Sequence, residues 1–231
     1  SDLARSETTT PQLKSRKIFV YEQYAQPQAT QKLLDDAGFD AEPWLGRKVA
    51  DKMARVENTA FILGDGVGKP RGILDYANYT TPGVYEIDRI EQINSGSAGA
   101  FTYNGLINIQ NSLKEPYQGG AVWMMHRTSN AKIMQLVDGE GRPIFNMTYD
   151  KNAGLEPTIL TKPVKFAADM PVVASAALAA AYGDFRTGYL IVDRQGIRIL
   201  RDPFTNKPYV KFYTTKRVGG DVVNFEAFKI H

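Results

Sequence analysis

The chain has 231 residues, 43% hydrophobic and 11% aromatic, with no cysteine and a formal net charge of +3. That length admits one large domain or two small ones around a buried core, and the missing cysteines exclude disulfides and thiolate metal sites. A mildly basic balance suits loose contact with polyanions without requiring it. No targeting segment is visible.

In chain order, residues 1–13 are polar and read as a mobile lead-in; the start at Ser1-Asp2 without methionine is that of a processed or trimmed product. Residues 16–26 alternate Ile18, Val20, Glu22 and Tyr24 with Lys17, Phe19, Tyr21 and Gln23, which predicts an extended strand with β-formers on both faces. One face meets another chain, or this same chain covers it; the pattern fits both. Residues 27–36 predict a short helix, joined by Phe39-Asp40 to a long one over 42–63. There Leu45, Val49, Met53, Val56, Ala60 and Leu63 form one apolar stripe, and Arg47, Lys48, Asp51, Lys52, Arg55 and Asn58 face the other way. Pro43 is tolerated in the first turn. About 22 residues at 1.5 Å each make a rod of roughly 33 Å, stopped by Gly64-Asp65-Gly66-Val67-Gly68-Lys69-Pro70.

Residues 73–81 read as loop, Pro82-Gly83 as a turn, 87–93 as a strand and 94–99 as a flexible joint. Residues 102–114 repeat the helical pattern through Leu106, Ile109 and Leu113. Residues 121–125 predict a buried strand, followed by a helix through Leu136 capped by Thr128 or Ser129. This strand and helix alternation implies helices layered on a sheet. Residues 138–143 form a tight turn cluster. The run 170–182 is alanine-rich, interrupted by Pro171 and too short to span a bilayer. Residues 162–167, 189–193, 197–200, 209–215 and 222–228 predict strands, the last three a late β-section.

No motif of reactive chemistry stands complete among these elements. The 64–70 loop fails as a phosphate cradle: only three residues separate Gly64 from Gly68, Pro70 stands where Ser or Thr would hold Mg²⁺, and the loop follows a helix. Lys69 occupies the third-glycine position of a dinucleotide fingerprint. His126 follows an apolar strand, where a satisfied packing role is usual, and His231 is the last residue; two histidines without cysteine do not make a metal site. Asp35-Asp36 are adjacent and diverge on a helix, which suits a solvated helix end. The basic face of Arg47, Lys48, Lys52 and Arg55 can touch nucleic-acid phosphates, although Asp51 and Glu57 interrupt it, and no interleaved aromatics indicate base stacking. No catalytic, cofactor-binding or metal-binding residue is therefore assigned, and no cofactor is expected.

The order of segments is distinctive all the same. Leu33-Leu34-Asp35-Asp36, the long helix, Glu57-Asn58-Thr59-Ala60-Phe61-Ile62-Leu63-Gly64-Asp65-Gly66 and Lys69-Pro70-Arg71-Gly72-Ile73-Leu74 come in sequence. After them come Trp123-Met124-Met125, Asp138-Gly139-Glu140-Gly141-Arg142-Pro143, Met170-Pro171, Gly183-Asp184-Phe185, Tyr189-Leu190-Ile191-Val192-Asp193-Arg194 and Arg217. Together they resemble the major capsid proteins of tailed bacteriophages, the Hong Kong 97-like fold. The resemblance implies an α+β fold without the family's N-terminal arm. Residues 1–26 would be the returning half of an extension loop, 27–88 a peripheral domain with the spine helix, 89–198 an axial domain, and 199–231 a β-section shared between them. It implies a structural protein, not an enzyme, that self-assembles as pentamers, hexamers or both into an icosahedral phage or prophage head. Such a head encloses double-stranded DNA touched without base readout, is built in the bacterial cytoplasm with scaffolding, protease and portal proteins, and has no membrane partner. No motif matches the family's Lys–Asn cross-linking site, so no self-catalysed cross-link is expected. Three other readings stay open: an encapsulin-type compartment, a nucleotide-binding enzyme using the 64–70 loop, and a monomeric binding module.

Overall fold

The computed structural model describes residues 15–36, 41–81, 85–145 and 157–231. The lead-in over 1–13, the Phe39-Asp40 joint, the Pro82-Gly83 turn and the side chains of Asp35 and Asp36 lie outside the described residues. Within them the chain forms a long helix against a four-stranded sheet, a five-stranded sheet with its own helices, and a two-stranded pair.

The first strand, β1 (Tyr21–Ala25), is followed by β2 (Gln28–Thr30), α1 (Gln31–Asp36) and α2 (Ala41–Leu63). The short helix therefore starts later than its composition suggests, because 28–30 are drawn into the sheet by pairing with residues 209–211. The 23-residue α2 is unbroken, about 34 Å long. Val49, Met53 and Ala60 face inward as expected, but Val56 and Leu63 are half exposed, and Glu57 takes the inward position between Met53 and Ala60.

Next come β3 (Asn78–Tyr79) and β4 (Ile90–Glu91), a short parallel pair inside segments expected to be loop and strand. Asp88 takes a φ of +63°, which breaks the 87–93 strand early. Then α3 (Tyr103–Ser112) starts on Thr102, whose hydroxyl accepts from the Gly105 amide at 3.0 Å. Helix α4 (Glu115–Gln118), β5 (Val122–Met125) and α5 (Arg127–Met134) follow. The cap of α5 is His126, not Thr128 or Ser129: its Nδ1 accepts from the Thr128 amide at 3.2 Å. The remaining elements are β6 (Thr158–Ile159), β7 (Lys162–Phe166), β8 (Ala180–Gly183), α6 (Phe185–Gly188), β9 (Tyr189–Asn206), β10 (Tyr209–Val222) and β11 (Phe228–Ile230).

The five-stranded sheet runs β11-β8-β5-β7-β6, so the apolar 122–125 run is its centre. Side chains alternate across it. Trp123, Met125, Ala180 and Tyr182 face one core with Leu106, Ile109 and Ile133 from α3 and α5. Met124 and Ala181 face the other, with Ile62, Ile73, Tyr76, Ile90, Val222, Phe225, Phe228 and Ile230. This second core ties the end of α2 to the sheet.

The late β-section differs from expectation. Residues 189–193 and 197–200 are one strand, because β10 pairs with β9 through the Gly196 region. β9 uses 18 residues to run beside 14 of β10, and the surplus appears as register shifts that bend and twist the hairpin. The 222–228 segment is not a strand: β10 ends at Val222, and the chain turns with Asn224 Oδ1 accepting from the Glu226 amide at 3.1 Å before β11.

Candidate assembly surfaces

The corner after α2 is built from backbone contacts. The last turn of a helix leaves carbonyls without partners, and the returning chain supplies them. Gly72 N–H donates to Gly64 O at 2.8 Å, Ile73 to Phe61 at 3.1 Å and Leu74 to Ile62 at 3.0 Å. A Cβ on Gly64 would stand 2.1 Å from Pro70 O, so only glycine fits that reversal. Neighbouring elements hold the corner: Tyr21 donates to Gly66 O at 2.6 Å, Tyr189 to Arg71 O at 2.8 Å, and Arg71 N–H to Gly220 O at 3.0 Å. Lys69 pairs with Asp65 at 3.3 Å. The Val67 amide and then Lys69 hold the Asp65 carboxyl below the usual carboxylate range. No helix N-terminus follows this loop, so the phosphate-cradle alternative has no geometry to support it.

Two polar clusters anchor the four-stranded sheet: Lys216 ties it to α2, and Arg16 and Asp221 tie it to Tyr76 and Asp88. Lys216 of β10 reaches Glu57 of α2 at 2.7 Å and Asp193 of β9 at 3.5 Å. Burial works to lower the Lys216 pKa, but the Glu57 hydrogen bond and the two carboxylate charges outweigh it and raise the value. Glu57 is 7% exposed, so it belongs to this cluster and not to the basic face. Arg16, ahead of β1, donates to the Tyr76 hydroxyl at 2.6 Å, pairs with Asp88, lies 3.5 Å from Asp221 and covers the Phe225 ring at 4.8 Å. Tyr76 in turn donates to Asp221. Burial first, then that bond, pushes its hydroxyl up to about 12. Sequence patterning gave no signal for Arg16 or Lys216. Glu57 was findable, since it lies on the stripe of α2 at a four-residue step from Met53.

Three outward surfaces remain. Arg47, Lys48, Lys52 and Arg55 are exposed along α2, as the sequence predicts. Between β1 and α2 runs an open groove of about 690 Å³ lined by Tyr24, Pro27, Leu45, Val49, Met53 and Val56. The β9–β10 hairpin exposes Leu190, Ile191, Ile199, Leu200 and Phe204, the last at 82%. Single exposed apolars are ordinary on a protein surface; here five fall along one strand. Among the described residues β9 is also an edge strand, pairing with β10 alone.

His126 is half-buried, with Nδ1 2.7 Å from the Thr128 hydroxyl. His231 is buried, stacked on Phe101. Among the described residues no group of His, Cys, Asp and Glu could hold a metal ion, and no helix is long and apolar enough to cross a membrane.

Comparison with known proteins places this geometry. The profile of the phage capsid family matches residues 2–231. The capsid of a native GTA particle, computed with C5 symmetry, is similar at 39% identity and a TM-score of 0.90, covering 100% of this chain and 78% of that one. Gordonia phage Cozz is similar in fold at 15% identity and a TM-score of 0.61, over 98% of this chain and 77% of that one. So is the holo-SrpI encapsulin complex of Synechococcus elongatus PCC 7942, at 14% identity and 0.66, over 91% and 72%. No curated protein matches the chain.

Proposed function

The chain belongs to the phage capsid family, and from that premise we propose how it builds a shell. It is a major capsid protein, a structural subunit of phage-like heads and not an enzyme. Copies join head-to-tail into rings, pentamers and hexamers, which close into an icosahedral shell. Head-to-tail contacts of fixed angle generate rings, and the particle capsid similar at 39% identity was computed with C5 symmetry. Many weak contacts sum to a stable container once the shell closes.

In this reading residues 1–26 are the returning half of an extension loop whose end, Tyr21–Ala25, joins this chain's own sheet, 27–88 form a peripheral domain around α2, 89–198 form an axial domain, and 199–231 are shared between the two. The hairpin surface centred on Leu200 and Phe204 meets another copy. Packaged double-stranded DNA touches Arg47, Lys48, Lys52 and Arg55 through phosphate charge alone. Scaffolding, protease and portal proteins act with it during assembly in the bacterial cytoplasm. The observation that carries the reading is the 39% identity over the whole chain to the capsid of a GTA particle. The encapsulin relationship, at 14% identity, extends to fold only. Nucleic-acid extraction from purified, nuclease-treated particles tests the cargo. Protected double-stranded DNA is expected; particles holding only protein would favour the compartment alternative.

A further inference from the structure

Glu91 and Lys229 are buried against each other as an ion pair, and His231 is a buried ionisable group outside that pair. His231 follows β11 and is 7% exposed. Its backbone is paired on both sides of Ala180, donating at 2.8 Å and accepting at 3.3 Å. Its ring lies parallel to Phe101, with centroids 5.3 Å apart and planes 7° from parallel. Helix α3 approaches so closely at Gly105 that a Cβ there would stand 3.0 Å from His231 Cε1. Both imidazole nitrogens are sealed from solvent and have no hydrogen-bond partner. A ring held this way is stable only when neutral, since a buried unpaired charge is far more costly than a buried neutral dipole.

The Ile93 backbone would favour a protonated ring, but burial outweighs it. The ring lines a cavity of about 280 Å³ under the 92–101 and 173–179 segments, whose lining residues carry no charged side chain. Gln92, Asn94, Ser95, Ser97 and Ser175 are the polar ones. On its own strand Lys229 is a cation already committed to Glu91. Helix α3 contributes no charge within Tyr103–Ser112, and β8 contributes none. The covering loop is held lightly: Thr102 donates to Ser95 O, and Ser95 and Ser97 bond to each other.

We propose that His231 is an acid-sensitive latch: neutral, it keeps the 94–101 loop and the 173–177 segment closed over the Phe101 core, and protonated, it forces them open. This does not depend on the shell reading. Burial lowers the His231 pKa from its ordinary 6.5, so the opened state binds the proton first. The closed state is fully favoured above about pH 6.5 and loses ground as pH falls from there toward the lower closed-state value. One proton can change the opening equilibrium by up to about tenfold per pH unit.

The test uses the intact protein and mass spectrometry. Imidazole C2–H exchange titrates His231 separately from the rest of the chain. The His231 midpoint should lie below the ordinary 6.5; a midpoint at or above 6.5 overturns the proposal. Backbone amide exchange at 94–101 and 173–177, corrected for intrinsic rates, should rise by about fivefold or more from pH 7.5 to 5.5, while β5 does not change. In His231→Phe, which keeps the stack on Phe101, the rise should vanish. Equal protection at both pH values, or the same rise in the variant, overturns it. If the variant does not fold, the wild-type titration still decides.

Discussion

Lys216 shows how single residues join the rod to the sheet. It stands 2.7 Å from Glu57 with little water access. Removing one partner of such a pair leaves a buried charge uncompensated. Lys216→Met should therefore lower unfolding stability by about 3 kcal/mol, whereas Glu57→Leu combined with Lys216→Met should stay within about 1 kcal/mol of the parent. Denaturant titrations of both variants check this; equal losses would contradict it. The pH dependence has a definite sign. The folded-state pKa of Lys216 is raised, so the pair's contribution is complete below the ordinary 10.5 and is lost as pH rises through the folded value. An alkaline melt should show an excess loss in the parent that the double variant lacks. At this scale the sequence was least legible. A lysine in an alternating strand carries no mark of the carboxylate across the interface, and an arginine ahead of β1 does not announce Asp88, Asp221 and Tyr76.

Elements were more legible because periodicity is local. The apolar steps of α2 and the glycine corner fixed the rod and its stop. Its boundaries agree with the structure to within a residue. What failed had a non-local cause. The Gly196 region reads as a break between strands, yet β10 pairs along it and turns the surplus residues into bulges. β8 is alanine-rich and has low β-propensity, but Trp123, Met125 and Phe228 enclose it. Two predictions belong here. Gly64→Ala places a Cβ 2.1 Å from Pro70 O and should cost about 3 kcal/mol or more. Gly68→Ala meets nothing within 4 Å and pays only for its φ of +66°, about 1–2 kcal/mol. Thermal melts should rank them in that order, and the reverse order would contradict the corner's geometry. Phe204→Ser, at an 82% exposed tip, should leave unfolding stability within about 0.5 kcal/mol. It should nevertheless slow or abolish particle formation in light scattering. Normal assembly by this variant would remove the hairpin tip from the contact surface.

For the whole molecule, the order of weak segment matches carried the family, and the comparison over residues 2–231 agrees. The arrangement follows from the parts: a stiff helix, a corner locked by backbone bonds, and a bent hairpin that presents apolar side chains outward. Self-association lies between chains, so no periodicity within one chain encodes its angles. Electron microscopy of the purified full-length protein under assembly conditions tests the account most directly. Closed shells with five-fold vertices, in which the α2 rods of neighbouring copies repeat at fixed angles, are the predicted result. A protein that stays monomeric at high concentration, with no rings or shells in any field, would contradict it.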